Sequence, residues 1–421
     1  MPVMTKMPDL TKDRPDLKVA IVHYWFVGLG GGEKVVEALA EMFPQAHLFC
    51  LVADAATMTP RLRAHRLTTS FLQRIPGARR WYRHFLPLQP FALEQLDLSG
   101  YDLVISLESG PAKGVITHTE TCHICYCLSP MRYLWDMYPA YRRGLGPLVR
   151  AVFSFTSHYL RMWDLASASR VDYFGAISQT VSSRVRKHYR RDARVIYPPV
   201  NVSHGYLAER TSDYYLVLGR MVDYKRVDLA IEACNRLKRR LRIIGKGDQW
   251  ARLHNLAGPS VEFLGPADDN TVRENYAHCR ALLFPGEEDF GIVPVEAQSF
   301  GRPVIAYARG AALETVIGIG ADDGEKPEIS TGVFFAEQTP ESLMDAIVRF
   351  ESVEAEFSPA FIRRSVQRFD LPRFKSEMSD FIEECLADHC RPQAALPNPV
   401  MSRTIRTELA DQRSIRSVVD E

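Results

Sequence analysis

Residues 285–306 read PGEEDFGIVPVEAQSFGRPVIA, and their order of residue types sets out one structural unit. The stretch follows the apolar run ALLF at 281–284, so it begins at the carboxyl end of a strand, the edge where open α/β sheets hold ligands. Gly286 and Gly291 turn the chain, Pro294 suits the first turn of a helix, and VEAQSF continues that helix toward a second apolar strand. The seven residues between Glu288 and Glu296 would put both on one face of an uninterrupted helix, but Gly291 and Pro294 divide loop from helix. Glu288 then belongs to the loop, and Glu296 lies one turn into the helix.

The same unit recurs in both directions. YYLVLGR, LRIIGKG, VEFLGP and RPVIAYA are apolar runs that end in Gly or Pro before helix-like stretches. Upstream, LKVAIVHYW leads through the glycines of VGLGGGEKVVEALAEMF into helical periodicity, and AHLFCLV, YDLVISL, HICYCL and VDYFGAIS are further buried-strand candidates. Short continuous apolar strands alternating with helices predict parallel sheets covered on both faces. YPPV at 197–200 fixes extended backbone and removes two donors, which suits a linker. The expected class is therefore α/β, with two Rossmann-like domains facing across a cleft: residues 1–197, then 198–357, a helical segment at 358–390, and a mobile tail at 391–421.

Composition bounds the partners. A chain of 421 residues with 46% hydrophobic and 24% charged residues can bury two cores. The 52 Lys and Arg balance 51 Asp and Glu, so there is no global field to draw the chain onto nucleic acid. The opening 18 residues lack a signal-peptide core and no run approaches a membrane span. Eight cysteines in so long a chain read as reduced thiols. A cytoplasmic location is the expectation, peripheral at the inner face of the cell membrane.

Several positions can carry chemistry. The N–H groups of Gly291, Ile292 and Val293 can receive a phosphate at a helix N-terminus, while Glu288 can meet a sugar and Glu296 can accept hydrogen bonds from ribose hydroxyls. Gly219, Arg220 and Lys225, in LGRMVDYKRVD, place two cations just past a strand, where they would stabilise a departing diphosphate. Gly245, Lys246 and Gly247 form a second strand-end turn suited to close approach of a base or ribose. The GLGGG loop contains Gly31 and Gly32, yet lacks helix-entering GxGxxG spacing. Cys122, Cys125 and Cys127 near His118 and His123 invite a zinc reading, but one strand points them to alternating faces, and no metal is expected. The Arg-rich run at 61–83, with Trp81, Tyr82, Phe85 and Leu86, reads either as a plain basic surface or as a contact for an anionic membrane or lipid diphosphate.

On the Glu288-to-Glu296 element with FGIVPVEA inside it, the Arg220 and Lys225 pair, and the HICYCLSPMRYLWDMY segment at 123–138, the sequence resembles glycosyltransferase family 4. Its retaining members have a two-domain GT-B fold. The resemblance implies Arg220, Lys225 and Glu288 as catalytic. It implies Gly31, Gly32, Gly219, Gly245, Lys246, Gly247, Phe290, Gly291, Ile292, Val293 and Glu296 as donor-binding. It implies a hexose donor, GDP-mannose before a UDP-sugar, no cofactor, and a saccharide or lipid-diphosphate-linked oligosaccharide acceptor of bacterial surface polysaccharide synthesis. The sequence departs from the pattern at Leu128, where similar proteins carry His. A sugar-nucleotide epimerase, a catalytically weak scaffold that binds nucleotide sugar, and a nicotinamide dehydrogenase stand as alternatives.

Overall fold

The computed structural model describes residue 14 and residues 16–28, 30–320 and 326–391; the expected tail from residue 392 onward and the leader up to residue 13 lie outside these. Seven strands build the first sheet: β1 (Val19–Val22), β3 (His47–Cys50), β5 (Leu67–Thr69), β6 (Leu103–Glu108), β7 (Cys122–Cys127), β8 (Tyr173–Ala176) and β9 (Arg194–Val195). Their spatial order is β5-β3-β1-β6-β7-β8-β9. Short strands β2 (Trp25–Phe26) and β4 (Val52–Ala53) pair beside it. The second sheet is β12-β11-β10-β13-β14-β16-β15, formed by β10 (Tyr214–Leu218), β11 (Arg240–Ile244), β12 (Val261–Gly265), β13 (Leu282–Phe284), β14 (Val304–Tyr307), β15 (Gly318–Ile319) and β16 (Gly332–Phe335). Every described pairing is parallel, with Ile21 facing Leu48 on one side and Ile105 on the other. Strands β1, β6 and β7 are buried at every position, as a parallel sheet covered on both faces requires.

Six helices position the features that follow: α1 (Gly31–Met42), α2 (Pro147–Ala168), α3 (Gln179–Tyr189), α4 (Asp269–His278), α5 (Ile292–Ser299) and α6 (Leu371–His389). In α1, Val35, Val36, Leu39 and Ala40 are buried, one apolar face at helical spacing. Strands β5 and β16 were not expected from the sequence. Strand β5 lies inside the Arg-rich run and pairs with β3, so part of that run is sheet edge. The predicted helical segment after 358 divides into Pro359–Ser365 and α6.

Helix α6 returns to the first sheet. Phe374, Met378, Phe381 and Ile382 share one core with Val19, Ile21 and Tyr126, and the Phe374 ring meets Tyr126 at 5.9 Å. Losing one such buried ring costs about 3–5 kcal/mol. Beside this return crossing runs the outgoing linker, where Val200 N–H donates to the Phe369 carbonyl at 2.8 Å. Among the described residues no helix is long and apolar enough to cross a membrane.

Candidate active site

The carboxyl ends of both sheets open on one cleft, and close backbone packing shapes its second-half wall. Gly219 ends β10 and Gly245 ends β11, both at positive φ, 134° and 133°. A Cβ on Gly245 would sit 2.0 Å from the Gly219 carbonyl oxygen, and one on Gly219 would sit 2.7 Å from Lys225 Nζ. Glycine is required at both places because side chains would displace the neighbouring turn or the ammonium. Lys225 Nζ meets Glu288 Oε1 at 2.8 Å, with both side chains about one-fifth exposed. Arg220 is exposed and makes no ion pair among the described residues. Lys246 is exposed and its carbonyl receives the Met221 N–H; a Cβ on Gly247 would meet the Met221 carbonyl at 2.3 Å.

The loop bearing Glu288 lies directly on the turn that bears Lys225. A Cβ on Gly286 would be 2.8 Å from Lys225 Cα, and the Glu288 carbonyl accepts from Ala311 N–H at 3.1 Å. Gly291 then caps α5 at φ 80° with no side-chain hydrogen bond, so the first N–H groups of that helix have no capping side chain and favour an anion.

The first half meets this wall at named atoms. A Cβ on Gly31 would stand 2.8 Å from Ile292 Cδ1, and one on Gly32 would meet Leu128 Cδ1 at 3.1 Å and Tyr24 Oη at 3.3 Å. Gly30 N–H donates to Glu33 Oε2 at 2.9 Å, so that donor of the glycine loop is already satisfied. Glu33 also approaches the buried His23 at 3.7 Å. Lys34 Nζ crosses to Glu296 Oε1 at 3.3 Å, while Tyr276 donates to Glu296 Oε2 at 3.0 Å. Burial, reinforced by that carboxylate, holds the Tyr276 phenol well above its ordinary range. Glu296, Lys34, Tyr276, Asn201 and Phe300 line a cavity of about 700 Å³, within the range of ligand pockets. Arg220, Lys225 and Glu288 do not line it.

Phe290 differs from its expected place. Its ring is buried against Tyr197 and Phe369, with centroids at 6.0 and 5.5 Å, so it packs the hinge beneath the two domains and does not line the cleft. The aromatic cluster there gains more from excluding water than a surface ring would. Arg226 also pairs away from the site, with Asp228 at 3.2 Å.

Sequence reading passed over the residues that hold the acidic loop from the opposite side. Asp289 is paired with Arg184 of α3 and lies 3.5 Å from Arg132, and its carbonyl accepts from Ser178 Oγ at 2.6 Å. The Arg132 guanidinium also stacks over Tyr224 at 5.1 Å. Arg132 stands inside the 123–138 segment, so its signal was present; Arg184 had none, because a helical Arg reads as a solvated face. Deeper, Glu108, Lys113 and Asp164 form a fully buried cluster. Lys113 Nζ is 3.4 Å from Glu108 Oε1 and is also paired with Asp164, which Trp135 and Tyr189 reach at 2.7 and 3.0 Å. Burial, then the neighbouring Asp164 charge, lifts the Glu108 carboxyl to about 7 against the opposing pull of Lys113. Although burial opposes its charge, Asp164 and Glu108 keep Lys113 protonated.

The cysteines of β7 are buried, and burial pushes their thiols up. His123 is buried too, with a ring nitrogen 2.8 Å from Ser106 Oγ, and burial brings it down to about 4. Among the described residues no group of three His, Cys, Asp or Glu side chains is placed to hold a metal.

A protein from Anabaena whose crystal structure contains UDP superposes with TM-score 0.62 at 15% identity, over 87% of this chain and all of that one. The fold is GT-B. Within this GT-B chain, residues 212–352 match the family described as glycosyl transferases group 1, a span that contains Gly219 through Glu296. An uncharacterized glycosyltransferase of Methanocaldococcus jannaschii is 29% identical over 146 residues, 34% of this chain and 41% of that relative. The O-antigen chain mannosyltransferase of Salmonella typhimurium is 27% identical over 215 residues, 47% of this chain and 59% of that protein. In both cases the match spans less than two thirds of the relative's length.

Proposed function

We propose that this GT-B chain is a glycosyltransferase of glycan biosynthesis. It transfers a hexose from a nucleotide diphosphate donor, GDP-mannose first, onto a saccharide acceptor carried on a lipid diphosphate, with retention of anomeric configuration. One observation carries the reading: the Lys225–Glu288 contact at 2.8 Å, together with Arg220, which has no ion pair among the described residues, and the α5 N-terminus that has no side-chain cap. A diphosphate gains negative charge as its bond to the sugar breaks, so fixed cations and aimed N–H groups stabilise the transition state more than the bound donor. Arg220 and Lys225 supply positive charge in the role of a divalent ion, and Glu288 positions the sugar. The acceptor oxygen bonds to the anomeric carbon on the face the diphosphate leaves, and the acceptor proton passes to the departing oxygen.

The mannosyltransferase name of the Salmonella relative supports mannose, and the UDP held by the Anabaena neighbour supports a UDP-sugar as the alternative donor. Calorimetric titration of GDP, GDP-mannose and UDP-glucose into wild type and Glu296→Ala tests the reading. Binding of GDP and GDP-mannose that weakens at least about tenfold in the variant is the expected result. Preference for uridine nucleotides moves the donor, binding without transfer favours a catalytically weak scaffold, and binding of none of them overturns the reading.

A further inference from the structure

Helix α2 is turned inside out. Leu148 and Phe155 are 79% and 78% exposed, while Ser157 and Asp164 of the same helix are 1% and 0% exposed. The outward face runs through Leu148, Val152, Phe155, Tyr159, Met162 and Leu165, all exposed, at spacings of three and four that keep them on one side for five turns. Asp164 points inward to Lys113, Trp135 and Tyr189, which fixes the rotation of the helix and holds the apolar face out. At ~1.5 Å per residue the face from Leu148 to Leu165 is an apolar strip roughly 26 Å long, beyond the scattered apolar residues of an ordinary surface.

Charge selects the occupant. Residues 138–163 carry Arg142, Arg143, Arg150 and Arg161 and no Asp or Glu, and none of the four has a carboxylate partner among the described residues. Arg142 and Arg143 are exposed just before the helix begins. A second copy packed α2 against α2 would bring more arginine and no exposed carboxylate to answer it, since Asp164, the sole acid of α2, is buried. An anionic bilayer answers both features: acyl chains cover the apolar face and lipid phosphates meet the arginines.

We propose that α2 lies in the plane of an anionic membrane surface, its Leu148-to-Leu165 face among the acyl chains and Arg142 and Arg143 on the headgroup phosphates. This contact differs from the one expected at Trp81, Tyr82, Phe85 and Leu86: of those four, Trp81 alone is exposed and the others are half-buried packing. It rests on the surface alone and is independent of the sugar chemistry.

Co-sedimentation of the full chain with vesicles of phosphatidylglycerol and phosphatidylethanolamine, against vesicles of phosphatidylcholine alone, tests it without any nucleotide sugar. Wild type should pellet with the anionic vesicles and be released as salt rises. The triple variant Leu148→Ser, Val152→Ser, Phe155→Ser should partition at least about tenfold more weakly at an unchanged melting temperature, because exposed side chains support no core. The pair Arg142→Glu, Arg143→Glu leaves the apolar face intact and should abolish the preference for anionic vesicles. Wild type that stays in the supernatant with both vesicle types overturns the proposal, as does triple-variant binding equal to wild type. A wild-type dimer in sedimentation velocity that the triple variant converts to monomer also overturns it and assigns the face to a second copy.

Discussion

Two lysine–carboxylate clusters stand past the ends of central strands, one in each half, and they are built oppositely. Past β6, Lys113 is enclosed with Glu108 and Asp164, all fully buried, and Asp164 is further saturated by Trp135 and Tyr189. Past β10, Lys225 has Glu288 for its ion pair, and water reaches both side chains. The same residue types thus form a sealed joint in one place and an open contact in the other. A closed cluster has no valence left for a ligand, whereas a pair that is about one-fifth exposed can exchange partners when a stronger anion arrives.

The sharpest way to break this comparison is to remove a member of the sealed cluster. Asp164→Asn leaves Lys113 short of its main counter-charge and should cost about 3–5 kcal/mol of stability, read as a shift in the urea midpoint. A loss below about 1 kcal/mol would mean that the cluster is wetter than its burial describes. At the open pair the balance reverses. Lys225→Ala should lower the proposed sugar transfer about 10²–10³-fold, while its stability stays within about 1 kcal/mol of wild type because a partly solvated pair contributes little. A variant that unfolds without losing turnover per folded molecule would equate the two clusters.

The smallest effect concerns pH. In the folded chain the Glu108 carboxyl titrates near 7, against 4.5 as its ordinary value. Between those values the folded protein holds a proton that the unfolded chain releases, so stability falls as pH rises through that window. Glu108→Gln keeps an oxygen to accept the Lys113 N–H, made at 3.1 Å in wild type, and removes the titration. Urea midpoints at pH 5 and pH 8 should therefore fall less in the variant than in wild type, and equal slopes would place Glu108 in a wetter site.

The contrast also explains what could be read from sequence. The glycines at 219, 245 and 291 announce turns because backbone geometry demands them locally, and the strand runs before them announce sheet ends; two Rossmann-like α/β domains follow from such punctuation, while the GT-B reading comes from the family resemblance. Glu108, Lys113 and Asp164 announce nothing, since a charged letter looks the same whether solvated or sealed, and only the packing of α2 over the turn at 112–114 makes the difference. Helical periodicity at 147–168 marks a helix but carries no sign for the face turned outward. Phe290 stands within the quoted segment, yet its burial depends on Tyr197 and Phe369, which lie 93 and 79 residues away in the chain. Strand β5 is three residues long inside an Arg-rich stretch and pairs along one side only, too little to register as a period.

The polypeptide passes between the halves twice, outward through the linker before β10 and back through α6, and the two passages touch at Val200 and Phe369. The first half is therefore not a continuous piece of gene, whereas the second sheet and its core come from one uninterrupted stretch, residues 214–362. A chimera joined once near residue 200 would inherit a first sheet stripped of its Phe374, Met378 and Ile382 cover, and a fragment ending before residue 371 would leave the same groove bare. Recombination that respects this architecture must splice at two points and carry the final helix with the half it covers.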